Sequence, residues 1–240
     1  MSLGMPTLVL NLESRPDRLA RFTATNSFLA DVERLSAVNG RALDRSRLIE
    51  SRFIAPELEC TPGALGCAAS HALVWHRAVT EGRSVTVFED DAVVHSAFRT
   101  LAPQVLSQLP PDWDLIMWGW NFDQPLVTEL LPGIGSATVQ CNQDVLRQNV
   151  GRYQTLALQP RPVRMLAFCG TLGYTVSTQG AGKLIGNCIP LRPLPGLIDL
   201  RTGGGYYGID LAMSALCPRL NAYACVAPLA VSPNDDSSVQ

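Results

Sequence analysis

The run Val85-Thr86-Val87-Phe88-Glu89-Asp90-Asp91 constrains this chain more than any other stretch. Its β-branched and aromatic residues make a short buried strand, which runs straight into three carboxylates. In open α/β sheets ligands bind beyond the carboxyl ends of the strands, where these acids lie. Side chains alternate along an extended chain, so Glu89 and Asp91 project to one side and Asp90 to the other. Such a pair can hold a hard divalent cation, and a diphosphate can complete its shell. Adjacent acids also repel one another, so the cluster is costly when desolvated without a cation or a basic partner. A solvated acidic turn fits the same pattern, and the pattern alone does not separate the two readings.

Strands and helices alternate around this run. Thr7 to Leu12, Arg34 to Val38, Ser84 to Phe88 and Trp113 to Trp118 read as strands. Ser14 to Leu29 reads as a helix with Ser14 as its cap, and Phe98 to Leu109 as another. Thr61 caps a longer helix with Pro62 in its first turn, and Gly82 stops it. On that helix Leu65, Ala69, Ala72, His76 and Val79 share one face. Residues 121 to 165 are the least regular, with short strands predicted at 137–139 and 153–158. Beyond them come extended segments at 165–169 and 173–176, a helix over 178–187, and a mobile loop at Gly203-Gly204-Gly205. A helix over 207–216, a last strand over 222–231 and a fraying tail over 232–240 complete the chain. The alternation predicts an α/β fold with a mostly parallel sheet and helices on both faces. It forms a single domain over 5–240, with Met5 as the native start and residues 1–4 an expression remnant.

Composition narrows the function classes. Charged residues make up 17 % and the net charge is −2, which gives no basic face for a nucleic acid. The seven cysteines include no C-x-x-C pair, so they read as buried thiols of a reducing compartment. No secretory leader is visible, and no stretch reaches the ~18 apolar residues of a membrane span. These features predict a cytoplasmic protein.

Two further segments carry chemistry. Small residues in Gly66-Cys67-Ala68-Ala69 let their helix approach the sheet closely, and Ser70-His71 follow. His71 can donate to a phosphate or position a hydroxyl, although a lone helical histidine is more often structural. Asn11 to Arg18 follows the first strand. There a helix N-terminus with Arg15 and Arg18 favours anions, although an ordinary exposed helix start looks the same.

In order along the chain these pieces resemble glycosyltransferase family 25. The resemblance is carried by Val9-Leu10-Asn11-Leu12 with Arg15-Pro16-Asp17-Arg18, by Ala37-Val38-Asn39-Gly40, and by Gly63-Ala64-Leu65-Gly66-Cys67 with Ser70-His71 and Trp75. It continues through Phe88-Glu89-Asp90-Asp91-Ala92 and Asp112-Trp113-Asp114-Leu115-Ile116, and ends in Gly170-Thr171 with Gly173-Tyr174-Thr175-Val176-Ser177 and Gly180-Ala181-Gly182-Lys183-Leu184. It implies a GT-A-like, Rossmann-related fold, a UDP-sugar donor, and usually Mn2+ (or Mg2+). It also implies inversion at the anomeric carbon. Carried over, Glu89 and Asp91 become metal ligands, and Asp90 belongs to the same diphosphate motif. Asn11, Arg15, Arg18, Asn39 and Ser70 become donor-binding residues, and His71 faces the site. Asn39 stands where the family has an acid, so a nucleoside contact there would be neutral. The expected partners are a nucleotide-sugar donor and an oligosaccharide or lipid-linked glycan acceptor. The expected setting is bacterial lipopolysaccharide synthesis, in peripheral contact with the inner face of the inner membrane. A catalytically silent sugar- or nucleotide-binding module and a metal-dependent phosphohydrolase are the competing classes.

An inverting transfer needs a base opposite the departing diphosphate, and carboxylates held by a cation cannot easily serve. The base therefore comes from the C-terminal half. There Asp199 and Asp210 each sit between Ile and Leu. Asp210 is favoured because it opens a helix after the Gly203-Gly204-Gly205 loop, although it also reads as that helix's cap.

Overall fold

The structure, a computed structural model, describes residues 4–194 and 208–234. The chain opens with β1 (Thr7–Leu12), α1 (Pro16–Thr25) and β2 (Val32–Ala37), followed by the short α2 (Arg45–Glu50). Then come α3 (Pro62–Glu81), β3 (Val85–Glu89), β4 (Val93–Val94), α4 (Phe98–Leu106) and β5 (Leu115–Gly119). The hairpin β6 (Leu126–Leu131) and β7 (Gly135–Val139) leads to α5 (Gln143–Tyr153) and β8 (Arg161–Ala167). The described chain ends with β9 (Gly173–Val176), α6 (Thr178–Cys188), α7 (Ile209–Leu216), β10 (Ala222–Val226) and β11 (Ala230–Val231).

Nine strands form one sheet in the order β2-β1-β3-β9-β5-β10-β8-β6-β7. Helices cover both faces, and the strand sequences show why. Leu8, Leu10, Val85, Val87, Leu115 and Met117 pack with Val74 and Trp75 of α3 and Leu184 of α6 on one face. Val9, Phe88, Ile116 and Trp118 alternate with them and pack against Phe22 of α1 and Phe98 of α4 on the other. Polar groups on that second face pair internally. The Thr86 and Thr175 hydroxyls are 2.7 Å apart, and Trp118 donates its indole N–H to Thr175.

The expectation of a mostly parallel sheet is corrected: the sheet is mixed. β1 pairs in parallel with β2 and β3, and β5 with β10, as helix-connected strands do. β9 is inserted between β3 and β5 antiparallel to both, and β8 and the β6–β7 hairpin add antiparallel pairs beyond β10. Strand-helix alternation reports the direction of neighbours in sequence. It does not report a later strand entering between two earlier ones.

α3 starts and stops where its ends require. Thr61 accepts from the Ala64 N–H at 3.1 Å, and Gly82 closes the helix at φ 63. Its buried face differs from the predicted one. Ala64, Ala68, His71, Trp75 and Ala78 are buried, whereas His76 and Val79 are exposed. The polar Ser70 and His71 belong to the buried side because that side borders a cleft. α1 begins at Pro16, and no side chain caps it, so Ser14 is not its cap. Residues 153–158 are not a strand: Tyr153 ends α5, and an irregular segment follows.

The predicted tail is ordered at its start. Ser232 and Pro233 accept from Gln143, Pro233 also accepts from Arg147, and the Ser232 hydroxyl reaches Asp91. β11 pairs with β4, directly after the acidic run, and so delivers Ser232 to that place. Residues 235–240 lie outside the described part.

Candidate active site

The carboxyl ends of β1, β2 and β3 open into a cleft of about 530 Å³. Leu10, Leu12, Arg15, Arg18, Asn39 and Gly40 line it, with Ser70, His71, Glu89 and Asp90. A recess of about 120 Å³ continues from it past Arg18, Cys67 and Glu89. Asp91, Asn121, Thr171, Asp210 and Asn234 line the recess.

Close backbone contact builds the cleft wall. A Cβ on Gly40 would lie 1.6 Å from the Pro62 carbonyl oxygen, and one on Gly66 would lie 2.5 Å from that of Val38. Only glycine lets the turn after β2 meet the first turns of α3. The Ser70 hydroxyl closes this joint, accepting from the Val38 N–H and donating to the Gly66 carbonyl. Ser70 therefore lines the cleft with its hydroxyl already engaged. Asn39 likewise accepts from the Arg41 N–H.

Asp90 points away from Glu89 and Asp91, as expected, although the strand ends at Glu89 and a turn closed by the Ala92 N–H on the Glu89 carbonyl carries Asp90 and Asp91. Asp90 turns toward β1, where Asn11 donates to it at 2.7 Å and Arg18 pairs with it at 2.5 Å. Burial outweighs both partners and raises its pKa. Asn11 also donates to the Arg15 carbonyl and accepts from Arg34, so it braces the wall from behind rather than lining the cleft. Arg15 lines the cleft and pairs with Asp17.

Glu89 and Asp91 face the recess together. The Thr171 hydroxyl donates to Glu89 at 2.5 Å, and His71 Nε2 lies 3.7 Å from the same oxygen. Burial alone would raise the Glu89 pKa, but His71, the Thr171 hydroxyl and Arg18 outweigh it, and Glu89 keeps its charge more readily than usual. Its partner in the recess takes the opposite course. Burial and the neighbouring Glu89 charge push Asp91 up to about 6, against Arg18 and the Ser232 hydroxyl. Asp91 Oδ1 is buried without a hydrogen-bond partner. An orphaned carboxylate oxygen beside a second carboxylate suits a hard cation.

Asp210 lies in the first turn of α7 and enters the same recess. Gly208 holds the cap position, which removes the reading of Asp210 as the helix cap. The Gly170 N–H donates to its Oδ2 at 2.7 Å. Burial, with a contribution from Glu89, raises the Asp210 pKa over the pull of backbone N–H groups. Gly170 itself adopts φ +86, and a Cβ there would collide with Asn121. Asp199 and the Gly203-Gly204-Gly205 loop lie outside the described residues.

His71 is buried at 1 % exposure. Its Nδ1 sits 2.9 Å from Tyr174 Oη, which also accepts from the Trp75 indole N–H. The phenol either donates to Nδ1 or accepts from it, and the choice decides whether Nε2 carries a proton. Among the described residues, the ligand atoms that converge are those of Cys67, His71 and Glu89, all within 4.8 Å of one another. This cluster can coordinate a divalent metal. Sequence reasoning missed Cys67, because it sought C-x-x-C pairs. The legible signal was the four-residue step from Cys67 to His71 on one helix face. Thr171 belongs to the Gly170-Thr171 pair of the resemblance, whereas Asn121, which lines the recess, and Ser232, which bonds to Asp91, are brought there by tertiary structure and left no local signal.

Trp75, Trp118 and Trp120 are buried core residues. No helix among the described residues is long and apolar enough to cross a membrane.

The family described as "Glycosyltransferase family 25 (LPS biosynthesis protein)" matches residues 5–196. A "Glycosyltransferase 25 family member" of Drosophila pseudoobscura pseudoobscura is 31 % identical over 205 residues, covering 80 % of this chain and 28 % of the relative. The "Procollagen galactosyltransferase 1-A" of Xenopus laevis is 28 % identical over 76 % of this chain and 28 % of its own length. The "Inactive glycosyltransferase 25 family member 3" of Mus musculus is 28 % identical over 78 % of this chain and 30 % of its own length. The chain thus spans less than a third of the length of these relatives. They are animal proteins, as are mosquito and rat relatives, which overturns the expectation of a bacterial source. By the match along residues 5–196, in the order and at the cleft just described, the chain belongs to glycosyltransferase family 25.

Proposed function

We propose that this chain is a metal-dependent hexosyltransferase of GT-A-like architecture that acts on a UDP-sugar. The cleft carries the proposal: a roomy compartment runs past Arg15 and Arg18 into a small recess holding Glu89, Asp91 and Asp210. In this reading the nucleoside occupies the wall of Leu10, Leu12, Asn39 and Gly40. The diphosphate lies near Arg15 and Arg18. Glu89 and Asp91 would hold Mn2+ or Mg2+, whose charge would stabilise the departing diphosphate. Asp210, whose pKa is raised, takes the proton of the acceptor hydroxyl as its oxygen bonds to the anomeric carbon and the bond from that carbon to UDP breaks. The product then has inverted anomeric configuration. Galactose as the sugar is suggested by the printed name of the frog relative, and a glycan acceptor by the family's description.

A silent binding module is the second reading, favoured by the relatives whose names call them inactive. A thermal-shift panel of UDP-, GDP-, ADP- and CMP-sugars, with and without Mn2+, tests the donor half. UDP-sugars should raise Tm in a Mn2+-dependent way, and absence of any nucleotide-sugar shift would refute the proposal. Transfer from the binding donor to a hydroxyl acceptor, followed by mass spectrometry, separates a transferase from a silent module.

A further inference from the structure

His71 Nε2 is buried, has no hydrogen-bond partner, and points toward Glu89 at 3.7 Å. That distance is too long for a hydrogen bond. It nearly matches the separation of two ligands on one tetrahedral zinc ion, which Zn–N and Zn–O bonds of ~2.0–2.2 Å set at about 3.3–3.6 Å. Cys67 lies one turn before His71 on α3, and its Sγ is within 4.8 Å of both other ligand atoms. A side-chain adjustment of about an ångström closes the set at the Zn–S length of ~2.3 Å.

We infer that Cys67, His71 and Glu89 form a zinc site at the floor of the cleft, distinct in metal preference from the oxygen-rich strand end. Ligand chemistry decides the metal. Thiolate with imidazole selects zinc and cobalt, whereas Mn2+ and Mg2+ prefer oxygen ligands. Without metal, burial and the charges of Glu89 and Asp210 keep the Cys67 thiol protonated well beyond its ordinary range, and coordination displaces that proton to solvent. Outer-shell partners are in place. Tyr174 Oη can accept from Nδ1, which leaves the Nε2 lone pair for the metal, and the Thr171 hydroxyl holds Glu89. The fourth position faces the cleft, since Cys67 and Glu89 line both of its compartments. Glu89 is shared with the acidic pair, so zinc here and a hard cation there compete for one carboxylate. The binding itself holds whatever reaction the cleft performs.

The test uses the whole chain, reduced and stripped with chelator, titrated with Co2+ under anaerobic conditions. Expected are a thiolate-to-cobalt charge-transfer band, tetrahedral visible bands saturating at a single ion per chain, and displacement by Zn2+ but not by equimolar Mn2+. Cys67→Ser should abolish the charge-transfer band while the far-ultraviolet circular dichroism and Tm stay near wild type. Tyr174→Phe should weaken Co2+ binding ~10–100-fold, as loss of an outer-shell partner does. Cobalt bands absent from the wild type, a charge-transfer band persisting in Cys67→Ser, or displacement by equimolar Mn2+ would each overturn the site.

Discussion

Replacing Asp91 by Asn should stabilise the metal-free protein at alkaline pH. The reason is the carboxylate's isolation, with Oδ1 buried and unpartnered and Glu89 close by. Its pKa moves from 3.8 to about 6. At ~1.4 kcal/mol per pH unit the ionised form destabilises the fold by about 3 kcal/mol, nearer ~2 after screening at the recess mouth. The sign follows from the direction. A carboxyl group with a raised folded pKa stabilises the fold most below its unfolded value of 3.8, and that contribution is lost as pH rises through about 6. Other acids titrate too, so the informative quantity is the variant-minus-wild-type difference. In urea melts without metal, Asp91→Asn should gain about 1–2 kcal/mol on the wild type at pH 8 relative to pH 4.5, where the unfolded carboxyl is already largely ionised. Added Mn2+ should raise the wild-type Tm at pH 8 and leave that of the variant unchanged. A stability difference independent of pH, or a variant equally responsive to Mn2+, would refute the reasoning.

Asp210→Asn should lower kcat ~100-fold or more with donor Kd nearly unchanged, measured by transfer kinetics and calorimetry; normal turnover would remove the base role from Asp210, and parallel assay of Asp199→Asn would show whether that residue takes it. Gly40→Ala should cost at least ~1–3 kcal/mol, as overpacking does, because its Cβ would sit 1.6 Å from the Pro62 carbonyl oxygen; unchanged urea stability would mean that the turn and α3 part easily. Asp114 is wholly buried, contacts Lys183 Nζ at 2.7 Å and 2.8 Å, and accepts from the Asn221 N–H, tying α6 and the start of β10 to β5. Asp114→Ala should therefore lose about 2–3 kcal/mol through its charged hydrogen bonds, and a loss under 1 kcal/mol in chemical denaturation would contradict this.

The legible parts of this molecule were those with local causes. Thr61 and Gly82 marked the ends of α3 because capping is decided within one turn. The Val85–Phe88 strand and its acids could be read because an apolar run and a charge cluster are both contiguous. Asp90 does stand apart from Glu89 and Asp91, but the turn after β3 rather than strand alternation separates them. Of the β6–β7 hairpin only the part of β7 at 137–139 was read, and β6 and α5 stayed hidden, for the opposite reason. Leu130, Leu131 and Ile134 are exposed, so the hydrophobic pattern there does not track burial. The buried side of α3 was misjudged because apolar residues were taken to mark the core. Ser70 and His71 face inward instead, one closing the glycine joint and the other entering a polar network.

That network also shows where unsatisfied chemistry concentrates. Elsewhere in the described interior, polar side chains are matched at many positions: Asn26 bonds to Phe22, Ala92 and Val94, and Asn11 to Arg15, Arg34 and Asp90. Among the described residues, four buried side-chain atoms lack partners, those of His71, Asp91, Arg99 and Trp120. Two of the four, His71 Nε2 and Asp91 Oδ1, belong to side chains lining the two compartments of one cleft. Burying an unpartnered imidazole nitrogen or carboxylate oxygen is unfavourable, and folds normally avoid it. The two atoms differ in kind. A nitrogen lone pair beside a thiol is suited to a soft cation, and a carboxylate oxygen beside Glu89 to a hard one. In the proposed sites a cation would give each orphan a partner, and Glu89 could serve as a ligand to either. Both orphan atoms lie on the cleft that the proposed cations would occupy. Its occupancy by metal should set both its stability and the state of Glu89, which is why metal-dependent melting and cobalt spectroscopy are the measurements that bear most directly on its chemistry.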